Sequence, residues 1–164
     1  MTYRQRMQHD QIALQLYTVR RLAADDLAGT LRAVAAAGYR AVELAGLPKT
    51  EPEELRRLLD ESGLQVVAAH EGIEGLREDA NAVADRLARL GSPRAIVPWM
   101  PEADRQTAND VRRFAAALGG FAGRLAERDI RLGYHNHNFE FAPLEGTTIP
   151  RGREGHVWIS TVCH

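Results

Sequence analysis

The chain alternates short apolar runs with longer amphipathic stretches, and this alternation limits the possible folds more than any other feature of the sequence. Apolar runs that predict strands lie at residues 12–17, 40–46, 64–70, 94–99 and 130–135. Stretches with apolar residues at helical spacing lie between them, at residues 25–38, 51–63, 76–91 and 109–128. Strand centres recur about every 25 to 35 residues, the size of a βα unit. The sequence therefore predicts an α/β protein with five parallel strands and four helices.

Composition excludes several classes of protein. The 164 residues, 45% hydrophobic and 26% charged, suit one soluble globular domain. The net charge of −1 gives no electrostatic reason to expect nucleic acid or an anionic membrane as a partner. No apolar run approaches the roughly 20 residues that cross a bilayer, and the N-terminus lacks the apolar segment of a signal peptide. With one cysteine, Cys163, we expect a cytoplasmic protein.

Polar residues recur at the carboxyl ends of the predicted strands, and this favours one of two architectures. Alternating βα units build either a doubly wound open sheet or a (β/α)₈ barrel. The sequence has no G-x-G-x-x-G, so the dinucleotide fingerprint of the open sheet is absent. The residues at the strand ends are Gln15, Tyr17, Glu43, His70, Trp99, His135 and His137. A barrel explains them, because its active site is assembled from the carboxyl ends of several strands.

The stretch LGYHNHNFEF places two histidines and a glutamate at the end of the fifth strand. Side chains alternate along a strand, so His135 and His137 share one face. A pair of histidines in this position is compatible with a functional site. It is equally compatible with strand-end residues that bond to the loop backbone, and the spacing alone leaves both open.

Five sequence blocks, in this order and at these intervals, resemble xylose isomerase-like TIM barrels, in particular the sugar phosphate isomerase/epimerase branch. The blocks are LQLYTVR, GYRAVELAG, GLQVVAAH, IVPWMPE and GYHNHNFEF, and together they cover roughly Gln11 to Thr148. The resemblance implies a partial (β/α)₈ barrel that acts on a small-molecule sugar, polyol or keto-sugar by isomerisation, epimerisation or dehydration. It also implies a divalent metal in the full-length family: Mn²⁺, Zn²⁺, Mg²⁺ or Co²⁺.

The resemblance also implies roles for single residues. It makes Glu140 the candidate metal ligand, places His135 or His137 in proton transfer, and makes His70 and Glu43 substrate contacts; Gln15, Tyr17 and Trp99 are predicted to line the pocket. Histidine is a suitable base for a hydrogen next to a sugar carbonyl, and a metal would stabilise the enediolate. Each assignment has a structural alternative: a strand-end ion pair for Glu43, a solvated loop acid for Glu140 and a hydrogen-bonded pocket histidine for His70.

The end of the sequence departs from the family pattern. A (β/α)₈ barrel needs roughly 250 residues, so we expect residues 1–148 to form a partial barrel and residues 149–164 an irregular tail outside the family. Three explanations are open: a truncated or frame-shifted product, a half-barrel that self-associates through its unpaired edges, or a stand-alone domain in which VWISTV adds an edge strand. Without the later family ligands, we expect this chain alone to bind metal weakly, if at all.

Two classes of function stay open. The first is a metal-dependent sugar isomerase or epimerase whose site is incomplete in this chain. The second is a catalytically inactive fragment or a small sugar-binding module. A phosphate-ester nuclease of the same superfamily is disfavoured, because that branch uses more histidines and acids on strands two to four than occur here.

Overall fold

The computed structural model of the chain describes residues 12–141 and the backbone of three short strand segments beyond them. It divides into two compact units, which we describe separately. The first contains the described residues up to Ala69 together with Arg89–Ser92, and the second contains His70–Ala88 and the described residues from Pro93 onward. Among the described residues, none of the helices combines the length and the apolar character needed to cross a bilayer.

The first unit is a parallel α/β layer. Its elements are β1 (Ala13–Gln15), α1 (Arg20–Asp25), α2 (Leu27–Ala36), β2 (Ala41–Leu44), α3 (Pro52–Glu61) and β3 (Gln65–His70), whose last residue belongs to the second unit. The strands pair in parallel in the order β1-β2-β3, and Gln15 lies opposite Glu43 in the register. Leucines at helical spacing, Leu31 in α2 and Leu55 and Leu59 in α3, are buried. The predicted strands and helices are therefore present in this unit.

The first βα connection contains a short helix, α1, that was not predicted, before α2, which is the predicted helix over residues 25–38. A 3₁₀ turn over Leu16–Val19 runs into α1, and Asp26 then interrupts the helix with an extended backbone at φ −151° and ψ 92°. The Asp26 side chain accepts a hydrogen bond of 2.7 Å from the backbone N–H of Gly29, so it caps the start of α2. The aspartate that ends the first helix thus begins the second.

The second unit repeats the parallel pattern. Its elements are α4 (Ile73–Leu90, with its last two residues in the first unit), β4 (Arg94–Val97), α5 (Ala108–Ala126), β5 (Arg131–His135), β6 (Pro143–Leu144), β7 (Thr147–Thr148) and β8 (Trp158–Ser160). The strands β4, β5 and β8 pair in parallel in that order, and β6 pairs antiparallel with β7. The VWISTV run thus contributes a strand next to β5; the rest of residues 149–164 lies outside the described residues.

Helix α4 is two helices joined at Asp79. This residue has φ −155° and ψ 93°, which no α-helix contains. Its carboxylate accepts hydrogen bonds from the backbone N–H groups of Asn81, at 2.9 Å, and Ala82, at 3.0 Å. These are the bonds of an N-terminal cap, so the second half of α4 starts afresh here. The predicted helix over residues 76–91 is present, but it begins earlier, at Ile73, and contains this break.

We expect Gly46→Ala to destabilise the protein more than Gly63→Ala. Both glycines have positive φ, +63° and +65°, so each alanine pays about 1–2 kcal/mol of backbone strain. A Cβ at Gly46 would also lie 2.5 Å from Cδ2 of the Tyr17 ring, whereas nothing lies within 4 Å of a Cβ at Gly63. The additional cost should be about 1 kcal/mol, measured by urea unfolding. Equal unfolding midpoints for the two variants would contradict the packing of Tyr17 on Gly46.

Candidate functional site

Three histidines at the ends of β3 and β5 form a continuous ring contact in the second unit. The rings of His70 and His135 meet edge to face, with centroids 5.7 Å apart, and His135 stacks on His137 at 4.9 Å and 22°. His135 is buried, whereas His70 and His137 are half-buried. Parallel strands whose carboxyl ends lie at one edge explain this convergence of residues that are far apart in sequence.

Aromatic side chains continue the histidine row. Trp99 meets His137 at 4.9 Å and Phe139 at 4.8 Å, both edge to face, and the Phe139 ring lies nearly parallel to the His137 ring at 5.8 Å. Trp99 is 46% exposed, so this cluster presents an aromatic surface to solvent. The Nδ1 atom of His137 is buried and has no hydrogen-bond partner among the described residues. The cluster therefore combines an apolar wall with imidazoles that are half-buried or buried.

Glu140 holds the loop that carries His137 and Phe139. It lies in a 3₁₀ turn, Phe139–Phe141, and is only 9% exposed. One carboxylate oxygen accepts a hydrogen bond from the Tyr134 hydroxyl, and the other accepts one of 2.7 Å from the backbone N–H of His137. Burial, and then the bond to Glu140, raises the pKa of Tyr134, so this phenol remains a donor through the physiological range. Both carboxylate oxygens thus fix the loop.

A second buried carboxylate, Glu71, follows His70 directly. It is 5% exposed and forms an ion pair with Arg86 of α4, while its Oε1 atom has no hydrogen-bond partner. Burial raises the pKa of the Glu71 carboxyl; the charges of Arg86 and then His70 act in the opposite direction. Glu71 is therefore a buried acid whose charge depends on a half-exposed arginine.

The first unit brings together another predicted pair. The Gln15 side-chain amide donates a hydrogen bond of 2.8 Å to Glu43, consistent with their positions opposite each other in the β1–β2 register. Tyr17 is 45% exposed, and the Arg20 guanidinium lies over its ring at 4.0 Å. Arg20 also donates a hydrogen bond of 2.8 Å to the Tyr17 carbonyl. The amide of Gln15 thus orients the carboxylate of Glu43 at the strand end.

Comparison with solved structures identifies the fold. No protein-family model and no curated protein matches the sequence. Two structures of a sugar phosphate isomerase/epimerase from Parabacteroides distasonis superpose with a TM-score of 0.78 each, at 23% and 18% identity. The matches cover 92% and 98% of this chain and 68% of each of those chains.

Other similar structures are described as a xylose isomerase domain protein and as a xylose isomerase-like TIM barrel fusion. The chain has the fold of part of a xylose isomerase-like TIM barrel. The resemblance read from the sequence is confirmed at the level of the fold.

The described residues do not by themselves provide a metal site. A similar structure, an IolI protein with a binding zinc atom, aligns with a TM-score of 0.55 at 10% identity over 75% of this chain and 50% of that chain. Within residues 12–141, however, no group of three histidine, cysteine or acidic side chains is arranged to hold an ion. The stacked rings of His135 and His137 lie in nearly parallel planes, so their in-plane lone pairs do not converge on one ion about 2 Å away. The ligand role of Glu140 stays a prediction.

The structure adds residues that the sequence did not single out. Tyr134 supports Glu140, and Arg105 lies over Phe139 at 3.9 Å and over Trp99 at 5.4 Å. No motif pointed to Arg105, because it lies in the connection before α5. Glu71 could have been found, since it continues the series of polar residues at strand ends.

We expect Tyr134→Phe to destabilise the fold by about 1–3 kcal/mol, because it leaves a buried Glu140 oxygen without its donor. The control is Tyr39→Phe, at a half-buried tyrosine, which should change stability by no more than about 0.5 kcal/mol. In a double-mutant cycle, urea unfolding of Tyr134→Phe, Glu140→Gln and the combination should give a coupling of about 0.5–3 kcal/mol. Strict additivity would show that the two side chains do not interact.

We expect Arg86→Met to destabilise the protein by about 1–3 kcal/mol at pH 7, a value reduced for the partial exposure of Arg86. Burial raises the pKa of the Glu71 carboxyl in the folded state. The contribution of this group to the free energy of unfolding is therefore fully present below its ordinary pKa of about 4.5, where the carboxyl is protonated, and it is lost as the pH rises and the buried carboxyl becomes charged. Loss of Arg86 raises this pKa further, so the defect should shrink when unfolding is measured at pH 4. Arg89→Met, which removes the exposed pair with Glu53, should cost at most about 1 kcal/mol. A pH-independent defect in Arg86→Met would refute this account.

Proposed function

We propose that the chain binds a sugar, polyol or keto-sugar at the histidine–aromatic cluster and supports proton transfer of the isomerase or epimerase type. The observation that carries the proposal is the contact between His70, His135, His137 and Trp99. Ligand sites in proteins combine aromatic walls with a few polar groups that fix orientation, and this cluster has both. The fold, shared with structures described as sugar phosphate isomerase/epimerase, supports the same class of substrate.

The proposal gives each side chain one task. Trp99 provides an exposed aromatic face on which the C–H face of a sugar ring packs. His137, which is half-buried, accepts or donates the proton on the carbon next to the carbonyl, and His135 supports it from the stacked position. His70 contacts a substrate hydroxyl. The substrate roles assigned to Gln15, Tyr17 and Glu43, which lie in the first unit, stay predictions from the sequence.

The second candidate is a sugar-binding module without catalysis. It is favoured by the hydrogen bonds that engage both oxygens of Glu140 and by the missing group of three metal ligands in the described residues. A protein of this kind would bind the same ligands without exchanging a proton. The two candidates differ in one measurable property, the exchange of carbon-bound hydrogen with solvent.

We expect the protein to catalyse exchange of the hydrogen next to the carbonyl in a ketohexose, followed in D₂O by proton NMR with and without added Mn²⁺, Mg²⁺, Co²⁺ or Zn²⁺. His137→Gln should lower the exchange rate at least about 10²-fold, as expected for loss of a general base, while ligand affinity changes little. Trp99→Leu should instead weaken binding more than it lowers the rate at saturation.

The outcomes separate the two candidates. Binding of ketohexose or inositol without exchange, under every metal condition, would reject the enzyme and retain the module. Exchange that is unaffected by both His137→Gln and His135→Gln would reject the assigned bases. Failure to bind any sugar or polyol would reject both candidates. Near-ultraviolet circular dichroism of each variant verifies that its aromatic cluster is folded.

A further inference from the structure

Arg105 is a cation beside the cluster, and no carboxylate of the described residues forms an ion pair with it. Its guanidinium carbon lies 3.9 Å from the centroid of the Phe139 ring and 5.4 Å from that of Trp99. Its Nε atom is buried and has no hydrogen-bond partner. The preceding residue, Asp104, pairs with Arg77 at 2.8 Å. Within residues 12–141, no acidic side chain forms an ion pair with Arg105.

Four arginines of the same unit, Arg77, Arg86, Arg113 and Arg128, each form an ion pair with an aspartate or a glutamate. Arg112, Arg124 and Arg131 form none with the described residues either, but they are exposed, whereas Arg105 is half-buried against two aromatic rings. The carboxylate in the loop next to Arg105 belongs to Glu140, and both of its oxygens accept hydrogen bonds from other groups. Arg105 is thus held over aromatic faces and forms no ion pair with the described residues.

The chemistry of the guanidinium defines which kind of ligand would pair with Arg105. Its planar fork of N–H donors matches the two oxygens of a carboxylate or of a phosphate, and the match is bidentate. Stacking on Phe139 fixes the plane of the fork and thus reduces the entropy lost when an anion binds. Trp99 is in ring contact with both Phe139 and His137, so an anion at Arg105 lies next to the surface proposed for the sugar.

We propose that Arg105 is the anchor for an anionic group, a carboxylate or a phosphate, carried by the substrate that packs on Trp99. This inference rests on the proposed function and narrows its substrate class to acidic sugars or sugar esters. The bound anion neutralises Arg105, and its position sets which carbon of the sugar faces His137.

The test compares three matched probes: D-glucose, D-glucuronate and D-glucose 6-phosphate. NMR titration at low ionic strength, observed at the Trp99 indole and at the side chains of His137 and Arg105, gives the affinity for each. The protein should bind at least one charged sugar about tenfold or more tightly than glucose. Arg105→Met keeps much of the side chain's apolar volume and should abolish this preference, so that within this variant the charged sugars bind no more tightly than glucose. Arg105→Lys, which retains charge but lacks the fork, should keep only part of it.

Arg112→Met is the control, because Arg112 is an exposed arginine of α5 bonded to Asn109 and should leave the preference unchanged. A preference for glucuronate alone identifies a carboxylate, and a preference for the phosphate ester alone identifies a phosphate; either supports the anchor. Glucose bound as tightly as both charged sugars, or a preference that persists in Arg105→Met, overturns it and leaves the proposed function intact.

Failure of all three sugars to bind would instead reject the proposed function. Inorganic phosphate and acetate then test Arg105 by themselves. A shift of the Arg105 Nε–H resonance that disappears in the presence of competing salt, and that Arg112→Met retains, supports an anion site. Absence of any shift with both anions overturns the inference.

Discussion

The arrangement of the site depends on the buried carboxylate of Glu140. Removing a carboxylate from water is costly unless its oxygens are hydrogen-bonded, and here a phenol and a backbone N–H supply the bonds. The Tyr134 ring meets the buried Phe114 ring of α5 edge to face, with centroids 6.0 Å apart. The hydrogen-bonded pair of Tyr134 and Glu140 is therefore anchored to the hydrophobic core. Because the backbone N–H of His137 is one of the two donors, this bond fixes the backbone from which its imidazole extends, and the ring contacts orient the imidazole.

The stacking of His135 on His137 does not suit the binding of one metal ion by both rings. Ligands of one ion must direct their lone pairs to one point, and the near-parallel planes of His135 and His137 do not. The burial of His135 beneath the half-buried His137 then leaves His137 as the group nearer to solvent.

The sequence predicted the parts of the structure that rest on periodicity, and it did not predict those that rest on single hydrogen bonds. Five strands and the convergence of His70, His135 and Trp99 followed from apolar runs with polar ends. The helix breaks at Asp26 and Asp79 did not follow from the sequence. An aspartate within a helical pattern is compatible both with an exposed helical residue and with an N-terminal cap. The contact of Arg105 with Phe139 joins two connections outside the regular elements, so no periodic pattern could reveal it.

The two buried acids of the second unit show how one environment gives carboxylates different properties. Glu140 has a donor for each oxygen and therefore serves as a rigid tether. Glu71 has one oxygen without a partner, relies on an arginine that is 38% exposed, and has a pKa raised by burial. Charge at Glu71 is thus sensitive to pH and to salt, and Glu71 lies next to His70 in the chain. Glu71 is therefore an acid beside the histidine row whose charge changes with pH, whereas Glu140 fixes the backbone at the other end of the row.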